Sequence, residues 1–66
     1  MEKLNELKQF AEYFAIYWLD GLWTVFIEKV NGQVVNADSG IPRMDLDDAI
    51  QTAIDLAKEN LASLSS

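Results

Sequence analysis

The chain has 66 residues, half of them hydrophobic, and carries a formal net charge of −6 with neither cysteine nor histidine. A chain this short cannot support a second core, so we expect one folded domain spanning residues 1–66. The missing cysteine and histidine exclude disulfides, thiolate catalysis and imidazole-based metal or proton-transfer sites.

Neither a membrane span nor a signal peptide is evident in the sequence. No apolar run reaches 18 residues, and the start, residues 1–6, lacks a basic segment followed by an apolar one. We therefore expect a soluble cytoplasmic protein with no membrane partner.

The first predicted element is an amphipathic helix from about Glu2 to about Glu12. Its apolar residues recur at the spacing of one helical face: Leu4, Leu7, Ala11 and Phe14. Near Tyr13 this period gives way to aromatic and β-branched residues, which favour a strand.

A β-hairpin is predicted around Asp20-Gly21, because these residues tolerate the positive φ values of a type I′ turn. A two-residue turn here sets three apolar pairs on one face of the sheet: Phe14 with Ile27, Ile16 with Val25, and Trp18 with Trp23. We expect both tryptophans to be core residues, in preference to a ligand-stacking role.

The second turn, at Asn31-Gly32, decides which face of the third strand meets the core. A two-residue turn would place Asn36 opposite Ile27, whereas a three-residue loop with Gly32 as a G1 bulge would place Val35 there. Because a one-residue slip turns every side chain to the other face, burial favours the three-residue loop. The expected meander has strands of about 14–19, 22–30 and 33–38.

This meander has one predicted core face and one mixed face. The core face carries Phe14, Ile16, Trp18, Trp23, Val25, Ile27, Val35 and Ala37. The mixed face carries Tyr13, Tyr17, Phe26 and Val34 among Thr24, Glu28, Asn36 and Asp38. Either the first helix covers the mixed face, or the face is an exposed patch that binds a partner. Its Tyr13, Tyr17, Phe26 and Glu28 are a secondary candidate binding surface.

A second helix is predicted from about Leu46 to about Ala62. Asp45 fits the N-cap and Asp48 the third helical position, where acidic residues favour the helix dipole. Its apolar stripe is Leu46, Ala49, Ile50, Ala53, Ala57, Leu61 and Leu64. The predicted fold class is α+β, a three-stranded antiparallel meander with elements in the order α, β, β, β, α.

No motif for catalysis, cofactor binding or metal binding is found in the sequence. The acidic clusters at residues 36–40 and 45–48 lack EF-hand spacing, and no Gly-rich loop could cradle a phosphate. We therefore expect a protein that is not an enzyme and holds no cofactor or metal.

The primary candidate residues for binding a partner are acidic: Asp45, Asp47, Asp48, Asp55 and Glu59. Asp48, Asp55 and Glu59 lie at offsets of 0, 7 and 11 and so share one helical stripe. A solvated helix face is the plainest interpretation. Alternatively, the row of carboxylates stands in for phosphates on a basic surface that normally binds nucleic acid. The acidic chain itself should not bind nucleic acid.

Two resemblances concern the order of the elements. The order is similar to that of the double-stranded RNA-binding domain, but Asp45, Asp47 and Asp48 stand where that domain has basic residues, which excludes its function. The run from Tyr13 to Leu61 resembles an antitoxin of the HicB type, in which a helix opening with an acidic-Ala pattern follows the strands. The chain lacks that family's Pro-rich segment and its DNA-binding region.

A third resemblance concerns size and charge. The chain is small, acidic and without catalytic motifs, and in this it resembles phage-borne inhibitors, including anti-CRISPR proteins that mimic DNA. This resemblance implies a larger partner with a basic nucleic-acid-binding surface, such as a CRISPR surveillance complex, in the cytoplasm of a bacterial host. The alternative is a HicB-like antitoxin or another small interaction module, dimeric through the face bearing Tyr17 and Phe26.

Overall fold

The computed structural model describes residues 2–35 and 41–65, with side chains described as far as residue 62. Its elements are α1 (Glu2–Phe10), β1 (Tyr13–Leu19), β2 (Leu22–Val30), β3 (Gln33–Val34) and α2 (Leu46–Ser65). The strands form one antiparallel sheet in the order β1-β2-β3. The predicted α+β class and element order are confirmed. None of the helices in the described ranges combines the length and hydropathy needed to cross a bilayer.

A single hydrophobic core lies between one face of the sheet and the two helices. α2 packs on β2, and α1 packs on α2. The buried residues come from all of these elements and from the segments beside them: Leu7, Ala11, Val25, Ile27, Val30, Val35, Ala49, Ile50, Ala53, Ile54 and Ala57. Both helices therefore cover the same face of the sheet.

The first hairpin has the predicted geometry. Asp20 and Gly21 have φ values of 54° and 76°, the two positive values of a type I′ turn. The predicted pairs are formed: Phe14 with Ile27, Ile16 with Val25, Trp18 with Trp23, and Leu19 with Leu22. Local turn chemistry therefore sets the register of β1 against β2.

A β-bulge interrupts β2 near its end. Phe14 pairs with Ile27 but Tyr13 pairs with Lys29, so Glu28 is an extra residue on β2. The extra residue shifts the alternation of side chains by one position. As a result Ile27 and Val30 are both buried although they lie three residues apart.

The predicted three-residue loop at the second turn is wrong. Val30 pairs with Gln33, and the two residues between them, Asn31 and Gly32, have φ values of 50° and 79°. This is a second two-residue type I′ turn, with Gly32 in the positive-φ conformation that the sequence predicted.

The wrong loop followed from assuming unbroken alternation along β2. With the bulge at Glu28, a two-residue turn still places Val35 in the core. The Val35 N–H donates to the Glu28 carbonyl at 2.8 Å, so Val35 lies opposite the bulge and not opposite Ile27. β3 is also shorter than the predicted 33–38, and the predicted positions of Asn36, Ala37 and Asp38 lie outside the described residues.

Trp18 is not the core residue that the sequence predicted. Its ring centroid lies 4.7 Å from that of Trp23, as expected for a cross-strand pair, yet its side chain is 57% exposed. α2 lies over β2, while β1 is at the edge of the sheet. The helices therefore do not cover Trp18 on the edge strand, whereas Trp23 on β2 packs against the core.

Trp18→Ala should lower the free energy of unfolding by about 1–2 kcal/mol, because it removes an aromatic pair and a partly buried ring. Ile50→Ala should lower it by about 2–5 kcal/mol, because Ile50 is fully buried. Urea denaturation followed by circular dichroism measures both. A larger loss for Trp18→Ala than for Ile50→Ala would contradict the exposed position of Trp18.

Gly32→Val should lower the free energy of unfolding by more than about 1 kcal/mol, because a β-branched residue fits positive φ poorly. Apart from Gly32 and its two chain neighbours, no atom of the described chain lies within 4 Å of a Cβ placed there, so the loss reports backbone conformation and not a tertiary clash. The matched control is Gly32→Asn, which should lose less because asparagine tolerates this region. Equal melting temperatures for the Val variant and the wild type would argue against the type I′ turn.

Candidate functional site

The acidic row is defined as Asp48, Asp55 and Glu59 on α2. All three residues are exposed, because the opposite side of the helix supplies the alanine-rich stripe that packs on the sheet. At a helical rise of about 1.5 Å per residue, Asp48 and Asp55 lie about 10.5 Å apart along the axis, and Asp55 and Glu59 about 6 Å apart. The row is a line of negative charge on the surface of the helix.

No salt bridge neutralises the acidic row within residues 2–35 and 41–62. The recorded salt bridge joins Lys3 and Glu6 on α1, at 3.4 Å. Lys58 is adjacent to Glu59 in the sequence, but its Nζ lies 6.0 Å from the ring centroid of Phe10 on α1. The carboxylates therefore remain available to a basic group from outside.

A chain of two hydrogen bonds orients the middle carboxylate of the row. Lys3 Nζ on α1 donates to Gln51 Oε1, and Gln51 Nε2 donates to Asp55 Oδ1 at 3.0 Å. The same chain links α1 to α2. Asp55 therefore accepts a hydrogen bond from Gln51, which is itself bonded to α1.

The remaining predicted acids, Asp45 and Asp47, lie exposed at the start of α2. Arg43 fixes this start relative to the sheet: its backbone N–H and carbonyl bond to the Trp23 carbonyl and N–H at 2.8 and 2.7 Å. Arg43 Nε also donates to Thr52 Oγ1 at 3.2 Å. The structure thus brings Asp45 and Asp47 close to Asp48 in one acidic helix start.

The acids of the described chain do not form a metal centre. No group of three or more Asp or Glu residues within it is arranged to hold a metal ion. The chemistry that these carboxylates offer is the binding of positive charge.

The aromatic face is the outer surface of the sheet and is defined by Tyr13, Tyr17 and Phe26. α1 does not cover it, since α1 packs on α2 at the opposite side of the sheet and both tyrosines are more than half exposed. The Tyr17 and Phe26 rings meet edge to face, with centroids 5.5 Å apart. Of the two alternatives that the sequence left open, cover by the first helix is wrong. That this face binds a partner stays a prediction.

Lys29 borders the aromatic face at Tyr13. The bulge makes Lys29 the partner of Tyr13, and the Lys29 Nζ lies 5.7 Å from the Tyr13 ring centroid. This is a cation–π contact. A basic residue therefore borders the aromatic face next in sequence to Glu28, which is exposed. The binding role predicted for Glu28 stays a prediction.

No protein-family model, curated protein or solved structure matches this chain. Its function is therefore inferred from the acidic row and the aromatic face.

Proposed function

We propose that the protein is a non-enzymatic inhibitor of the anti-CRISPR, DNA-mimicking kind. It places its acidic row on a basic nucleic-acid-binding surface of a larger protein, in the cytoplasm of a bacterial host. The observation that carries the proposal is the row itself: three exposed carboxylates, without a salt bridge in the described chain, on one face of a packed helix.

The spacing of the row is compatible with phosphate mimicry. Phosphates of one B-DNA strand recur about every 3.4 Å along the helix axis. The axial separations of about 6 Å and about 10.5 Å in the row are therefore close to two and three phosphate steps. A basic groove shaped for a duplex can meet these carboxylates at positions that phosphates normally occupy.

Rigidity and net charge support the same proposal. The buried side of α2 fixes the helix before binding, so little conformational entropy is lost when the complex forms. A net charge of −6 speeds encounter with a basic surface and repels nucleic acid.

The triple variant Asp48→Lys, Asp55→Lys, Glu59→Lys should lose the partner while the fold survives, because exposed substitutions change stability little. Asp48→Lys should add a small loss of stability, because Asp48 lies in the first turn of α2, where an acidic residue favours the helix dipole. The measurement is a pull-down from bacterial lysate at low salt and at high salt. Capture by the wild type should weaken at high salt, because charge contacts are screened. Double-stranded DNA should also displace the wild-type protein from the captured partner, because the two compete for the same basic surface.

The matched control is Glu2→Lys, Glu12→Lys, Glu28→Lys. It makes the same change in net charge at three exposed acids outside the row. This control should retain most of the binding, and a thermal melt of both triple variants checks the fold. If the two triple variants lose binding equally, net charge and not the row is responsible. If the row variant still binds, the mimicry proposal fails.

A second candidate function is favoured by the uncovered aromatic face. We propose as the alternative a HicB-like antitoxin or other interaction module that binds through Tyr13, Tyr17 and Phe26. Its partner should be lost on Tyr13→Ala, Tyr17→Ala and retained by the triple variant of the acidic row. That pattern would favour binding through the aromatic face over binding through the acidic row.

A further inference from the structure

One side of β1 has no partner strand among the described residues. Leu19 and Leu22 close the two-residue turn as a hydrogen-bonded pair. Hydrogen bonding to β2 therefore uses the backbone groups of Leu19, Tyr17 and Ala15. The N–H and carbonyl groups of Phe14, Ile16 and Trp18 therefore point away from β2, along the free edge. They can accept another strand.

β1 lacks the features that normally protect an edge strand. Its sequence, Tyr13–Leu19, contains no charged residue and no proline, and it is seven residues long. Natural edge strands are usually short, charged, proline-containing or covered. An edge strand that no other described element covers is suited to pairing with another chain.

Large side chains are exposed on both faces of the sheet at this edge. Tyr17 on the aromatic face is 54% exposed, and Trp18 on the opposite face is 57% exposed. A partner lying flat on the aromatic face would cover Tyr17 and leave Trp18 in water. A strand added beside β1 continues both faces of the sheet and can cover both side chains.

We infer that β1 pairs antiparallel with β1 of a second copy, joining two three-stranded sheets into one six-stranded sheet. The free edge of β1 carries no charged side chain that a charged partner could pair with. The best partner is therefore an uncharged strand that is apolar on both faces. β1 itself is such a strand. The pairing is isologous, because the same surface serves both copies.

Charge selects the register of this pairing. A twofold axis at Ile16 would set Glu12 opposite Asp20 of the second copy, two acids facing each other. A twofold axis at Tyr17 removes that opposition and pairs Ile16 with Trp18 of the second copy. The N–H groups of Ile16 and Trp18 then carry the inter-chain hydrogen bonds.

The dimer and the acidic row respond to salt in opposite ways. Two copies of charge −6 repel each other at long range, so added salt should strengthen the dimer by screening. Capture of a basic partner by the acidic row should weaken as salt rises. The two proposals can therefore fail independently.

The test is sedimentation equilibrium of the full chain from about 10 μM to about 1 mM, at low and high salt, which covers weak to moderate dimers. The matched variants are Trp18→Glu at the β1 edge and Val34→Glu, which adds the same charge on β3. Trp18→Glu should raise the dimer dissociation constant about tenfold or more, because the charge would be buried without a partner. Val34→Glu should dimerise as the wild type does.

Amide hydrogen exchange of the wild type gives a second readout that needs no substitution. The N–H groups of Ile16 and Trp18 should become more protected as the concentration rises. A monomer at every concentration, or free exchange of these two amides at about 1 mM, would overturn the inference. Loss of the dimer in Val34→Glu with its retention in Trp18→Glu would overturn it too, because that pattern belongs to association through the aromatic face.

Discussion

The bulge at Glu28 is the constraint on which the rest of the fold depends. β2 is the central strand, so one of its faces must supply apolar side chains to α2 along its full length. Strict alternation would bury Lys29, whereas the extra residue buries Val30 in its place. The same shift allows two tight type I′ turns to flank β2 while Val35 still enters the core.

The position of α2 over β2 divides the surface into unlike parts. The helix covers the centre of the sheet and receives α1 at its side, which leaves β1 exposed at the edge. Its acidic residues point outward because its small residues, such as Ala53 and Ala57, are buried. The packing of α2 on β2 therefore leaves the acidic row, the aromatic face and the free edge of β1 all at the surface.

Two sets of polar contacts join α2 and its start to the rest of the described chain. Arg43 ties the start of the helix to Trp23, and Lys3 ties its middle to α1 through Gln51. Both contacts lie next to residues of the acidic helix surface. In the proposed function the row recognises its partner by spacing, so a fixed helix would contribute to specificity.

The sequence by itself determined the α+β class, the element order, the first hairpin and its register, because these follow from local turn chemistry and short-range periodicity. It also identified the acidic row, whose members share a stripe by helical geometry alone. Only the tertiary structure decided the bulge at Glu28, the two-residue turn at Gly32 and the exposure of Trp18. The bulge depends on how β2 pairs with both neighbouring strands and packs against α2. The exposure of a side chain depends on whether α2 covers it. Neither is encoded in the spacing of residues along one strand.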